Sequence, residues 1–556
     1  MNLRPYQEEA VSATLEAWKQ HRSCLITHPT GCGKTVVLAS ICKTIPNGRR
    51  IMIIAHRHEL IQQLRRTVSE VTGQDADVEQ ASRYADQWGW NAQTVCSSVQ
   101  TQNSGKNGGR MNRFDPFEFD LLVIDEAHHA TASSYRKVIQ YYSANPDLKI
   151  LGVTATPDRH DREALGQVFD HVSHSYSIRD AISEGWLAPI KQKMVYVKSM
   201  KWENIGVVAG DLNSGDLARE MEYEQPLKEI VVPAYELTKD RKVLVFCPGV
   251  SIAERMCEMF NRYEDGCAAF VSGKTPKEDR DQIFQFYENG QFRILVNVGV
   301  TTEGYDCPAI GAVVMARPTQ SRALYAQMAG RGMRPFPPSL VNDVAAPEGE
   351  EAGERKRLIA SSDKPDLLLV DLVGNCSRHK LSSAAAMLGG KYSDRVVLAA
   401  SESIEADAKA ERGDLEVDPM ERLEWAATKI AKIEEEERAK RKRKLLKARV
   451  DYQTEDVNPF DLFDIVPPVQ YAWDKRNPAT GKQLKFLSAL VQGTCDVHSL
   501  KLSKRQARIM IDKLKSRMDA GNCTPKQARW LKRNGHDPHG LSKVEATKLI
   551  SEIIGD

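Results

Sequence analysis

The sequence predicts an α/β fold: two tandem parallel-sheet domains followed by a charged helical linker and a small all-α C-terminal domain. Three observations carry that expectation. Residues 1–185 alternate short β-rich apolar runs with helical patterns; the alternation returns from about Lys242 to Val373; from about Glu405 charged helical periods replace it. Strands alternating with helices imply parallel sheets covered on both faces, with ligands held at the carboxyl ends of the strands.

In chain order, the first domain (1–185) has expected strands at Cys24–Thr27, Ile51–Ala55, Thr94–Ser97, Leu121–Asp125 and Ile150–Thr154. Residues 186–241 read as a connecting segment. The second domain (242–385) has strands at Val243–Cys247, Ala268–Val271, Arg293–Asn297, Ala312–Ala316 and Leu367–Leu372, with a surface insertion near 336–365 rich in Pro, Glu and Lys/Arg. Residues 386–475 read as a charged helical or irregular linker. Its Glu421–Val450 run begins acidic and ends basic, which complements a helix dipole. The last stretch, 476–556, holds a weak internal repeat: Thr480-Gly481-Lys482-Gln483 is echoed by Thr524-Pro525-Lys526-Gln527, and Leu502-Ser503-Lys504 by Leu541-Ser542-Lys543. Each Ser or Thr precedes a helical period and suits an N-cap, so two copies of a small helical pair are expected.

At 556 residues the chain is too long for one core. Hydrophobic and charged fractions of 41% and 27% are those of soluble globular proteins, and no apolar run is long enough to cross a bilayer. Met1-Asn2-Leu3-Arg4-Pro5 lacks a signal-peptide pattern, so a cytoplasmic compartment and no membrane partner are expected. Eleven cysteines without a Cys-x-x-Cys pair read as reduced thiols. Cys495, His498, Cys523, His536 and His539 fall at unmatched places in the two repeats, which favours free side chains over a zinc site. Net charge is only +2, yet from Lys475 onward 17 Lys and Arg face seven Asp and Glu. That basic end suits a polyanion.

The chemistry concentrates in a few segments. His28-Pro29-Thr30-Gly31-Cys32-Gly33-Lys34-Thr35 follows a buried-strand pattern and precedes a helical one. Glycines there let backbone N–H groups approach phosphates, Lys34 supplies a point charge, and the Thr35 hydroxyl suits Mg²⁺. Asp125 ends its strand as a second Mg²⁺ ligand, and Glu126 is placed to polarise a water. His128, Thr154 and Thr156 suit relaying the occupancy of that site. Arg331 and Arg334, at i and i+3, share a helical face fit for a developing phosphoryl charge. Lys34 and Arg334 lie some three hundred residues apart, so serving one phosphate requires two domains to close on it.

As a set, Arg4-Pro5-Tyr6-Gln7, the loop 28–35, Ala55-His56-Arg57-His58-Glu59-Leu60, Ser97-Ser98-Val99-Gln100-Thr101, Asp125-Glu126-Ala127-His128, Thr154-Ala155-Thr156-Pro157, Asn297 to Asp306 and Gln327 to Arg334 resemble the motifs of superfamily 2 helicases. The wording around Leu295–Pro308, Arg317–Thr319 and Asp371–Asn375 is most similar to the RadD-like branch of bacteria and their phages, although the cysteine-rich zinc module of that branch is missing. The resemblance covers roughly residues 1–385. It implies two RecA-like domains binding ATP between them, with Mg²⁺. It further implies that Gln7 reads the adenine, that Arg4 and Gln327 also bind the nucleotide, that Gly304 and Asp306 bind it and couple it to the track, and that Arg57, Gln100, Thr101, Thr301 and Thr302 lie along a nucleic acid. The implied partner is DNA (single-stranded, duplex or branched), with RNA as the alternative.

Overall fold

The computed structural model describes residues 3–87, 91–105, 109–155, 165–208, 210–301, 304–342, 344, 349–373, 381–390, 392–410, 416–448, 477–492 and 496–554. It divides into two compact units, Met1–Glu435 and Glu436–Asp556.

The first unit contains two parallel sheets. Strands β1 (Ser23–Thr27), β2 (Arg50–Ala55), β3 (Asp77–Glu79), β4 (Thr94–Ser98), β5 (Phe119–Asp125), β6 (Lys149–Thr154) and β7 (His171–Ser175) assemble in the order β3-β4-β2-β5-β6-β1-β7. β1, β2 and β4 are buried along their whole length, as near-continuous apolar runs require in a sheet covered on both faces. β8 (Ile190–Tyr196) opens the second sheet. After a short hairpin of β9 (Val207–Val208) and β10 (Asp211–Leu212) come β11 (Lys242–Phe246), β12 (Ala268–Ser272), β13 (Ile294–Val298), β14 (Ile310–Met315) and β15 (Leu367–Val373), in the order β12-β13-β11-β14-β15-β8. The fold class expected from the sequence is therefore the one observed.

Three expectations are corrected. Ile190–Tyr196 lies in the expected connector but pairs with β15 over its full length as the edge strand of the second sheet; its Ile-Lys-Gln-Lys alternation is too short to separate a strand from a loop. Residues 384–433 are not a free linker. Val397, Ala400, Ile404, Leu423, Ala426 and Ile430 are buried in the second sheet's core, and Val417 bridges to Gln192. The Leu423/Ala426/Ile430 stripe has helical spacing, but the surrounding charge masks it. The insertion, too, is anchored: Val341 and Ile359 are buried in that core.

Two apolar layers cover the faces of the first sheet. One layer of the second sheet extends without interruption to Tyr6, Cys32, Tyr176 and Trp186, so the sheets share a core beside the loop 28–33. Tyr6 and Tyr176 stack with centroids 4.3 Å apart. In the second unit four helices, Gly481–Leu490, Lys504–Asp519, Pro525–Arg533 and Lys543–Ile554, enclose a core of their own around Leu487, Met510 and Leu531. No helix among the described residues is long and apolar enough to cross a membrane.

Candidate nucleotide site

Adjacency of β5, β6 and β1 brings three carboxyl ends together. β1 ends at Thr27 and the chain turns through 28–33 into the helix Lys34–Cys42. Gly31 and Gly33 have φ of +91° and +70°, and a Cβ on Gly33 would stand 2.5 Å from Gln7 Nε2; both the conformation and the space demand glycine. The first N–H groups of that helix have no intrahelical partner, which makes its start an anion site. Lys34 Nζ lies 3.8 Å from Glu126 Oε1.

Asp125 closes β5, and Glu126 follows in the left-handed region at φ +47°. Burial first, and the Glu126 charge next, push the Asp125 carboxyl up to about 7, while Lys34 opposes them. Glu126 Oε2 is buried without a hydrogen-bond partner among the described residues. A desolvated carboxylate beside an orphaned carboxylate oxygen fits a cation and a polarised water. His128 Nδ1 lies 3.1 Å from Thr154 Oγ1 and 3.5 Å from Glu126 Oε2, so Thr154, His128 and Glu126 form a chain. Thr156 lies outside the described residues.

The second sheet supplies the opposite wall. Gly304, Tyr305, Asp306, Arg331 and Arg334 face Thr30, Lys34, Thr35, Asp125 and Glu126 across one cleft. Contact is close: a Cβ on Gly330 would stand 2.6 Å from Thr30 Cβ, and one on Gly31 3.2 Å from Arg334 Cγ. Arg331 donates to the Tyr305 carbonyl at 2.6 Å, and Arg334 forms an ion pair with Asp306. Both guanidiniums are thus held at the cleft wall. Gln327 is buried on the helix Arg322–Gly330, which ends just before them: Arg331 is its C-cap and Arg334 lies in the turn beyond, so the shared helical face expected for the two arginines is corrected to a helix end and the turn after it.

Beside the cleft, a cavity of ≈ 440 Å³ is lined by Arg4, Gln7, Gly31, Gly33, Trp186, Arg334, Pro338 and Asn342. Gln7 Nε2 donates to the Cys32 carbonyl at 3.1 Å and its Oε1 accepts from Arg4 N–H at 3.0 Å; the amide therefore braces the phosphate loop. Arg4 stands 4.7 Å over the Trp186 ring and donates to Asn342 Oδ1 at 3.0 Å. Arg355 lies 3.9 Å from the same ring. His28 is buried, 2.8 Å from His174 Nδ1, and burial drops its pKa to about 3, so its ring is neutral. Burial likewise pushes the Cys32 thiol up to about 12, leaving it unreactive. Trp186 and Asn342 escaped the sequence reading because each is a single residue without a motif, placed by the meeting of the sheets.

Residues expected along a nucleic acid divide. Arg57 and Gln100 follow the paired ends of β2 and β4; Gln100 donates to the His56 carbonyl at 3.1 Å and Arg57 reaches the Gly299 carbonyl across the sheets at 3.1 Å. Thr101 and Thr301, by contrast, are buried rather than presented on a surface. Thr101 Oγ1 is 2.7 Å from the Ser98 hydroxyl at a helix cap, and the Thr301 hydroxyl lacks a partner among the described residues. Thr302 lies outside the described residues.

A glycine-lined phosphate loop and paired arginines on opposite walls of one cleft define a two-sheet nucleotide-binding core. Comparison with known families gives the class its name. A family model described as the res subunit of type III restriction enzymes matches residues 1–159, and the helicase conserved C-terminal domain matches residues 223–335. Two separate stretches of the chain are thus similar to helicase-family proteins. Similar proteins include the putative ATP-dependent helicase IRC3 of Saccharomyces cerevisiae, 27% identical over 359 residues, which covers 60% of this chain and 49% of that protein. The putative mitochondrial ATP-dependent helicase irc3 of Schizosaccharomyces pombe is 31% identical over 347 residues, covering 60% and 55%. The chain spans about half the length of these relatives. A fragment of a putative type I restriction HsdR subunit from Vibrio vulnificus is 21% identical, with a TM-score of 0.48 and coverage of 68% and 65%.

Proposed function

We propose that this protein is a DNA-stimulated ATPase that translocates on DNA and unwinds it in replication, recombination or repair. The observation that carries the reading is the single cleft walled by Lys34, Asp125 and Glu126 from one sheet and by Arg331 and Arg334 from the other. ATP phosphates rest on the loop 28–35, with the base in the cavity between Gln7, Trp186 and Asn342. Thr35 and Asp125 would hold Mg²⁺, which would neutralise charge on the β- and γ-phosphates. Glu126 orients the attacking water, and Arg331 and Arg334 leave Tyr305 and Asp306 to meet the charge that develops on the γ-phosphoryl group. Arg57 and Gly299 belong to different sheets, so closing the cleft shifts one grip on the strand relative to the other. Within the family we place the chain nearest the RadD-like branch, acting in the cytoplasm of a bacterium or a phage-infected cell.

A second reading keeps the ATPase and drops strand separation: a duplex translocase, favoured by the match to a restriction-enzyme subunit. An RNA helicase and a non-hydrolysing, nucleotide-gated DNA-binding module are further alternatives. Phosphate release measured with single-stranded, duplex and branched DNA and with RNA decides among substrates, and strand displacement beside triplex displacement decides between the motors. Hydrolysis that no nucleic acid stimulates would remove both motor readings.

A further inference from the structure

The second unit contains the same helical pair twice, and its hydrogen bonds fix which residues correspond. In the first helices, Thr480 and Thr524 accept from the N–H of Gln483 and Gln527 (3.3 Å each), and the glutamine side chains accept from the threonine N–H at 3.1 and 2.9 Å. Each Gln Nε2 then donates to the first residue of the copy's second helix, Lys504 or Lys543, at 3.1 Å. The Ala479 N–H donates to the Leu502 carbonyl and the Cys523 N–H to the Leu541 carbonyl, both at 2.9 Å.

Capping and core packing explain why the copies share Thr, Ser, Gln and Leu at matching places. They do not explain the cations. Lys482 corresponds to Lys526, Lys485 to Arg529 and Lys504 to Lys543. Lys482, Lys485, Lys504, Lys526 and Lys543 are exposed, and none has a carboxylate partner among the described residues. Four of them stand in the first turn of a helix, where a positive charge opposes the dipole. Residues that cost helix stability yet recur in both copies point to an external anion. An aromatic recurs with them: Phe486, 44% exposed with Lys515 Nζ 5.4 Å from its ring, corresponds to Trp530. Spacing of i, i+3 and i+4 puts Lys482, Lys485 and Phe486 on one helix face, and Lys526, Arg529 and Trp530 on the matching face of the other copy.

We propose that the second unit is a two-site nucleic-acid grip, in which each copy's basic face binds the sugar-phosphate backbone and its aromatic flanks the bases. The identity of the polyanion rests on the reading of the chain as a nucleic-acid motor; the duplication of the site does not. The test uses the full chain without nucleotide and labelled single-stranded DNA, its duplex and RNA of the same sequence, with anisotropy read across a salt series. The variants are K482Q/K485Q/K504Q, K526Q/R529Q/K543Q and all six together. Each triple variant is expected to weaken single-strand binding about tenfold and to flatten the slope of log affinity against log salt by about 2, and the sixfold variant to lose both increments. ATP hydrolysis at saturating nucleic acid stays at the wild-type value, and the melting temperature does not fall below it, since removing first-turn cations relieves an unfavourable interaction with the helix dipole. Unchanged affinity in the sixfold variant overturns the grip, and a loss confined to one triple overturns its two-site character. If wild-type hydrolysis is not stimulated by any nucleic acid, the motor reading fails while the binding comparison still decides the grip.

Discussion

The two sheets of the first unit share one architecture and divide the chemistry. Each is all parallel, and each has a helix starting after a central strand: Lys34–Cys42 after β1 and Val250–Tyr263 after β11. After β1 the chain turns through Pro-Thr-Gly-Cys-Gly into Lys-Thr; after β11 it turns through Cys-Pro-Gly into Val-Ser, with no cation and no positive-φ glycine. The second sheet instead delivers guanidiniums, from the C-terminal end of the helix that follows β14 and the turn beyond it. Loops rather than the sheet decide what a strand end can do.

A buried carboxylate in each sheet makes the same point. Asp371 on β15 accepts from Tyr325 Oη at 2.6 Å and from Gln192 Nε2, and burial raises its carboxyl to about 6. Among the described residues Asp125 has no such side-chain donors, only the Glu126 backbone N–H, and it faces the cleft beside Lys34. One carboxylate is held by side-chain donors within the fold; the other faces the cleft with only a backbone donor among the described residues.

The largest expected effect tests the division of labour directly. Lys34→Ala and Arg334→Ala should each lower ATP turnover by about 10³-fold, while anisotropy shows DNA binding within about twofold of wild type. If only the Lys34 variant is impaired, the second sheet has no part in the chemistry. Next, Asp371→Ala strands two buried donors and should cost about 2–4 kcal/mol in denaturant unfolding; a loss too small to resolve would mean that Tyr325 and Gln192 find other partners.

Asp125→Asn should have the opposite sign. Because the Asp125 carboxyl is raised to about 7, its contribution to stability is full below the ordinary carboxylate pKa and is lost as pH rises through the folded value. An uncharged amide keeps that contribution, so ligand-free Asp125→Asn should melt about 2 °C or more above wild type near pH 8, with the gain vanishing near pH 4. A gain equal at both pH values would show that ionisation is not its source. The smallest effect belongs to the seam between the sheets. Arg280 pairs with Glu59 at 2.7 Å, and Arg280→Ala should change the ATP KM by about twofold with kcat nearly intact. A larger fall in kcat would mean that this pair governs closure.

Much of this was legible in the sequence for identifiable reasons. β1, β2, β5 and β6 are apolar runs ending in loops with chemistry, so their strands and Lys34, Asp125 and Glu126 could be read together. β3 has only three residues, and β7 is a polar edge strand, His-Val-Ser-His-Ser; neither carries an apolar run. Trp186, Asn342 and the buried Lys364, which donates to the Arg334 carbonyl at 2.6 Å, matter only because two sheets meet there. Thr101 and Thr301 show the converse limit: a motif gives a residue's neighbourhood, whereas its burial follows from the packing around it.

The glycines at the seam carry one more consequence. Gly330 lies where a single methyl would press on Thr30. Alanine there would act as a doorstop: it would remove no functional group, yet press the two walls apart toward a cleft that stands ajar. On the proposed reading of the chain as a motor, nucleotide would then come and go faster than it is split, and the motor would idle instead of stepping.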